Sequence, residues 1–159
     1  MARMSETGTR RATGFTLVEI LAVVAIAGIV LALAAVNLFP GDAEVARREA
    51  SSLALAVEGA RDEAWFGGRP TAVAFSAGRF HQWRLAASGQ WEAQESRERA
   101  LGEARVAALH VEGVALAPES RLVFLPDGFG VPFRIAVEVR GLARAIEGDA
   151  AGAVRVVER

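Results

Sequence analysis

Polar and apolar positions divide the chain into three stretches. From Leu17 to Phe39 nearly every residue is apolar, and Glu19 is the one ionisable side chain in the run. Beyond Pro40 and Gly41 the pattern changes: Ala46, Ala50, Leu53, Val57, Ala60 and Ala64 recur at steps of four and three, which predicts an amphipathic helix with Arg47, Arg48, Glu58, Arg61 and Asp62 largely off its apolar stripe. Pro40 and Gly41 break or kink the helical run, Asp42 is placed to cap a restart, and Gly67 with Gly68 provides a stop. After Pro70 the period becomes two. Thr71–Ser76 and Arg79–Leu85 read as strands joined around Ala77 and Gly78, and Arg121–Leu125 and Phe133–Arg140 as two more around Pro126, Asp127, Gly128, Phe129 and Gly130. The clearest strand sets Phe133, Ile135, Val137 and Val139 against Arg134, Ala136, Glu138 and Arg140, so an antiparallel sheet with one dry face is expected. Val154 and Val156 add a terminal strand. The segment 90–102, QWEAQESRERALG, is charged and poorly patterned, which predicts a loop or short surface helix suited to contacts.

With 159 residues there is room for one modest domain beside the apolar segment. A net charge of -1 gives no bulk attraction to nucleic acid, although every basic residue is arginine. Cysteine is absent, which excludes disulfides, thiolate metal sites and a cysteine nucleophile. His81 and His110, far apart in strand-like surroundings, do not suggest a histidine metal centre. No G-x-S-x-G, H-E-x-x-H, phosphate-loop or dinucleotide glycine pattern occurs, so an enzyme is not expected and no cofactor is implied. Asp127-Gly128 is a turn, and Trp65, Trp83, Trp91 and Phe133 belong to core or rim rather than to a ligand site.

The apolar segment sets the location. Its 23 residues from Leu17 to Phe39 reach roughly 34 Å as a helix, enough for a hydrocarbon core of about 30 Å. Arg3, Arg10 and Arg11 precede it against Glu6 alone, so the N-terminus stays cytoplasmic and the larger part is carried across. A cleaved secretory signal is the alternative, with an Ala-x-Ala-like site at Ala32–Ala34, but its apolar stretch is normally about 7 to 15 residues long.

Gly14, Phe15, Thr16, Leu17, Val18 and Glu19, behind a short basic leader and opening an apolar helix, resemble the class III signal of type IV pilins and type II secretion pseudopilins. The resemblance implies cleavage after Gly14 by a prepilin peptidase, N-methylation of Phe15 as the first mature residue, and an assembly role for Glu19, whose carboxylate would neutralise the N-terminal amine of a neighbouring subunit. Physics gives the carboxylate a reason to seek that partner, because an acidic side chain deep in lipid costs about 2.5 to 3.5 kcal/mol on insertion scales. Snorkelling of Glu19 to the headgroups is the alternative.

Further along, the helix ending near ARDEAWFGGRP, the hairpin GRFHQWRL and the late LVFLPDGFGVPFRIAVEV resemble the GspH/FimT group, most closely the H-type minor pseudopilins. That resemblance implies an α+β, pilin-like fold: a long N-terminal helix, transmembrane in its first half and amphipathic in its second, packed on an antiparallel β-sheet. The expected divisions are a leader at 1–14, a transmembrane helix at 15–39, its amphipathic continuation at 40–68 and a β-rich periplasmic domain at 69–159. The alanine-rich stripe is then either the face on that sheet or a seam inside a filament. No paired cysteines staple a C-terminal loop, and Asp149 stands apart from any calcium-ligand cluster, so a minor subunit fits better than a major one.

Implied partners are the prepilin peptidase, other minor and major pseudopilins, the inner-membrane assembly platform and the lipid bilayer, with no nucleic acid. The implied location is the bacterial inner membrane, with the C-terminal domain periplasmic. Two alternatives stay open: a FimT-like minor pilin taking up DNA through arginines such as Arg155 and Arg159, and a signal-anchored periplasmic binding domain that never polymerises.

Overall fold

The computed structural model describes residues 15–38, 41–128 and 130–158, which form two compact units, one up to Pro40 and one from Gly41 onward. The predicted leader at 1–14, with Gly14, lies outside the described residues, as do Phe39, Pro40, Phe129 and Arg159. The first unit is one helix, α1, over Leu17–Leu38.

The second unit opens with helix α2, Asp42–Gly67. Its N-cap is Gly41 in an extended conformation, so Asp42 is the first helical residue and not the cap expected. The helix closes on Gly68, whose φ of 63° is the left-handed geometry that terminates helices. All six residues of the predicted stripe are buried, joined by Ala54. Five of those seven side chains are single methyl groups, which lets the helix backbone approach the strands beneath it closely.

Two antiparallel sheets share that helix, where the sequence suggests one. The first runs β3–β2–β1–β7, built from Trp91–Ala93, Arg79–Leu85, Thr71–Ser76 and Leu122–Phe124, with β4, Arg99–Ala100, also on β2. The second runs β10–β9–β8–β5–β6, from Val154–Glu158, Leu142–Gly148, Phe133–Val139, Ala104–Val111 and Val114–Leu116. The expected pairing around residues 126–130 does not form: β7 lies beside β1, and β8 lies between β5 and β9. Pro126 and Pro132 carry no N–H to extend a ladder between them. Phe124 and Phe133 instead meet edge-on across the junction of the sheets, with centroids 6.0 Å apart and planes at 75°. Segment 90–102 is likewise more ordered than a loop, with β3, a short 3-10 turn at Glu95–Arg97 and β4. It is strapped to α2 by Arg99 donating to Ser52 Oγ at 2.9 Å and by Arg97 lying 3.7 Å from Glu63.

Two strands escaped the sequence pattern for physical reasons. In β5 a bulge between Val106 and Ala108 breaks the period, so the inward residues Ala104, Val106, Leu109 and Val111 are not evenly spaced. In β9 the inward row is Leu142, Arg144, Ile146 and Gly148, which has no continuous apolar face. Three hairpins turn on two residues with positive φ: Ala77-Gly78, Glu112-Gly113 and Arg140-Gly141. That is the geometry of type I′ turns, whose twist matches paired strands.

Polar groups fix α2 in place. Thr71, fully buried, donates its hydroxyl to the Ala60 carbonyl at 2.6 Å. Gln82 Nε2 donates to Glu63 at 2.9 Å. At the other end of the helix, Arg140 in the β8–β9 turn donates to Asp42 Oδ1 at 2.9 Å and through both Nε and Nη2 to Glu103. The hydrogen bond from Arg140, with its charge, holds the Glu103 carboxyl below the ordinary glutamate range, and the same contact raises Arg140.

Two predictions follow from this packing. A Cβ on Gly148 would overlap the Phe133 ring paired across from it, so Gly148→Ala should destabilise the domain by about 1–3 kcal/mol, measured by urea unfolding. Because the Glu103 carboxyl is depressed, its contribution is complete above the unfolded glutamate pKa of about 4.3 and is lost as pH falls through the lower folded value. Arg140→Gln should therefore lower the melting temperature at neutral pH, and the gap from wild type should close in acid. A gap independent of pH would assign the effect to the turn and not to the ion pair.

Candidate membrane-assembly site

Helix α1 begins with a capped turn. The Glu19 N–H donates to Thr16 Oγ1 at 3.2 Å and to the Thr16 carbonyl at 3.0 Å, and the Ile20 N–H reaches the same carbonyl at 3.2 Å. Thr16 is thus the N-cap and Glu19 occupies the third helical position, the T-x-x-E spacing of a capping box. Thr16, part of the motif named above, also caps the helix, a role its T-x-x-E spacing announces. A second role for the carboxylate follows: it lies in the first turn, where the helix dipole favours negative charge by about 0.3–1 kcal/mol. The roughly 2.5–3.5 kcal/mol cost of an acidic side chain applies at mid-bilayer and falls toward the ends of a spanning helix, where Glu19 sits.

Phe15 precedes the helix, 73% exposed and four residues before Glu19. From Phe15 to Ala34 every described side chain is exposed, including Leu17, Leu21, Ile26 and Leu31. The helix is apolar all round, and Leu17–Ala34 is long and apolar enough to cross a membrane. A helix of this kind has no wet face, so lipid or other apolar helices must cover it.

The other residues singled out in the sequence are dispersed over the second unit. Trp65 is exposed near the end of α2 and stacks on Phe66 at 5.4 Å, whereas Phe133 is buried in the core. Trp83 and Trp91 lie on the first sheet under the Arg121 guanidinium, at 4.7 and 5.7 Å from the ring centroids. His81 is in β2 and His110 in β5, on different sheets. Asp149 accepts from the Ala153 N–H at 3.0 Å within the turn before β10. Arg155 sits 3.7 Å from Glu147, which also binds Arg134 at 2.8 Å, so much of its charge is already answered.

Comparison with known proteins agrees with this arrangement. Residues 9–35 match the Prokaryotic N-terminal methylation motif, and residues 49–157 match Type II transport protein GspH. Two solved structures of the minor pseudopilin EpsH, from the type 2 secretion system of Vibrio cholerae, share the fold. One is 19% identical with a TM-score of 0.55, covering 71% of this chain and 96% of its own. The other is 17% identical with a TM-score of 0.58, covering 71% and 93%. Comparison with curated proteins gives no match. Since the GspH match extends over more than half of the chain and the α+β architecture is that of a pseudopilin, the chain belongs to the GspH family of type II transport proteins.

Proposed function

We propose that this protein is a minor pseudopilin of a type II secretion system, incorporated at or near the tip of the periplasmic pseudopilus that helps export folded proteins. A prepilin peptidase cuts after Gly14 and methylates Phe15; α1 then anchors the subunit in the inner membrane with its N-terminus cytoplasmic and the domain from Gly41 periplasmic. The observation that carries this proposal is the start of α1: an all-round apolar helix whose capped first turn holds its one carboxylate, Glu19, in front of a GspH domain. In the membrane that carboxylate answers the amine on Phe15 of a neighbouring subunit, a pairing that offsets the lipid cost of both charges. The other minor and major pseudopilins and the membrane assembly platform are its partners, and the work of assembly is mechanical. A DNA-uptake pilin finds less support, because Arg155 and Arg134 both spend charge on Glu147.

Intact-mass analysis of protein taken from native membranes tests the processing. The expected species begins at Phe15 and is one methyl group heavier than the unmodified chain; retention of residues 1–14, or a start after Ala34, would overturn the assignment. Substitutions at Glu19 test the assembly step and separate it from capping. Gln satisfies the capping box without a charge, while Leu removes both functions. Cleavage and insertion should survive both changes. Crosslinking to partner pseudopilins in detergent-free membranes should fall by about tenfold or more, the equivalent of ~1.4 kcal/mol, in Glu19→Gln as in Glu19→Leu. Wild-type crosslinking in Glu19→Gln would assign the residue to helix capping alone.

A further inference from the structure

The last turns of α2 set Glu58, Arg61, Asp62 and Trp65 on one side of the helix, since residues three, four and seven apart share a face. Facing them are the turn that follows β7 and the turn that precedes β10. A cleft of about 300 Å³ lies between, bounded by Glu58, Arg61 and Trp65 on the helix and by Leu125, Gly128 and Gly152 on the turns. The two glycines show how close the walls come. A Cβ on Gly128 would stand 3.7 Å from Trp65 Nε1, and one on Gly152 would stand 3.4 Å from Arg61 Nη1.

Apolar surface and unbalanced charge meet at this cleft. Trp65 is 56% exposed, Phe66 stacked on it at 5.4 Å is 81% exposed, and Leu125 is 46% exposed, so large side chains flank the cleft on its helix side and on its turn side. Single exposed apolar residues are ordinary, but aromatic side chains beside a concave surface are the usual anchors of protein contacts. The charge is uneven as well. Arg61 gives its hydrogen bonds to Asp62, at 2.7 and 3.1 Å, and only approaches Glu58, at 3.5 Å. One guanidinium therefore answers two carboxylates, and Glu58, with 39% of its side chain exposed, accepts no hydrogen bond among the described residues. A surplus negative charge beside an exposed indole suits a cation, which gains from the carboxylate and from the ring together.

We propose that this cleft is the docking site for a basic side chain, arginine or lysine, carried between apolar residues of a partner polypeptide. The cationic head meets Glu58 and the indole of Trp65, its aliphatic stem lies on Leu125, and the partner's neighbouring apolar residues cover Phe66. A free small cation would satisfy the carboxylate but leave the aromatic pair and Leu125 in water, so the observations favour a polypeptide. The same charge disfavours an acidic segment, which gives the surface a choice between partners. The site does not depend on the processing or polymerisation assigned to α1, and its contact is separate from the pairing of Glu19.

The test uses the full-length protein in micelles of an uncharged detergent, with its three tryptophans replaced by fluorotryptophan and followed by fluorine NMR. Trp65→Phe assigns the Trp65 resonance by its loss. The probe is a peptide of sequence Ser-Leu-Arg-Leu-Ser, capped at both ends, compared with the same peptide carrying citrulline, which keeps the shape of arginine without its charge. The arginine peptide should move the Trp65 signal saturably and leave those of Trp83 and Trp91 in place, and the citrulline peptide should bind about tenfold more weakly or worse. Glu58→Gln, at an exposed position that leaves Arg61 paired with Asp62, should bring the arginine peptide down to the affinity of the citrulline peptide. Absence of a saturable shift, equal affinity for the two peptides, movement of Trp83 or Trp91 in place of Trp65, or an unchanged affinity in Glu58→Gln would each overturn the proposal.

Discussion

The contact between α2 and the two sheets holds the rest of the domain in place. Neither sheet closes on itself, and each has an inner apolar face that must be covered: Val73, Phe75, Phe80, Leu122 and Phe124 from the first, Leu109, Ile135, Val137, Val139 and Ile146 from the second. One helix covers both because its buried stripe is narrow in bulk and long in reach. Ala46, Ala50, Ala60 and Ala64 let the backbone settle close, while Leu53 and Val57 supply volume between them. A stripe of large side chains would hold the helix away and open the seam that Phe124 and Phe133 now close. The hydroxyl of Thr71 on the Ala60 carbonyl makes the same point in polar terms, since a buried donor is satisfied only if the helix sits where it does.

The α1 helix obeys a different constraint. It has no inward face, and its only ionisable side chain is placed in its first turn, behind a threonine cap. Helix capping and membrane assembly ask for the same residue type at this position, so a carboxylate at Glu19 serves local structure even before any partner arrives. The helix dipole favours the carboxylate there by less than about 1 kcal/mol, so the pairing proposed for Glu19 would have to add to what capping supplies.

The arginines are spread through the domain as connectors more than as a binding stripe. Arg140 joins the start of α2 to the β8–β9 turn and to Glu103, Arg99 and Arg97 bind the 95–99 segment to α2, and Arg134 lies against Glu147 within the sheet. Exposed pairs of this kind contribute little stability each, but they fix the relative placement of turns that would otherwise slide.

Periodicity in the sequence determined the elements whose surroundings are uniform. The apolar run of α1 is legible because every position along it carries the same apolar demand, the stripe of α2 because one face meets the core, and β8 because its residues alternate without interruption, while β1, buried on both faces from Thr71 to Phe75, and β2 are legible from the turn residues that bound them. The N-terminal methylation motif over residues 9–35 was legible because it is a short run local in sequence. Pairing of strands was not local. β7 and β8 are neighbours in the chain and members of different sheets: Pro126 and Pro132 disfavour a ladder between them, but which strands each pairs with instead is decided by how the apolar faces close over α2. The bulge in β5 and the mixed inward row of β9 hid two central strands, and turns such as Glu112-Gly113 and Arg140-Gly141 lack the asparagine or aspartate that usually announces a tight hairpin. Only the tertiary structure brought His110, Arg134, Glu147 and Arg155 into one row, because cross-strand register joins residues that the chain keeps up to 45 positions apart.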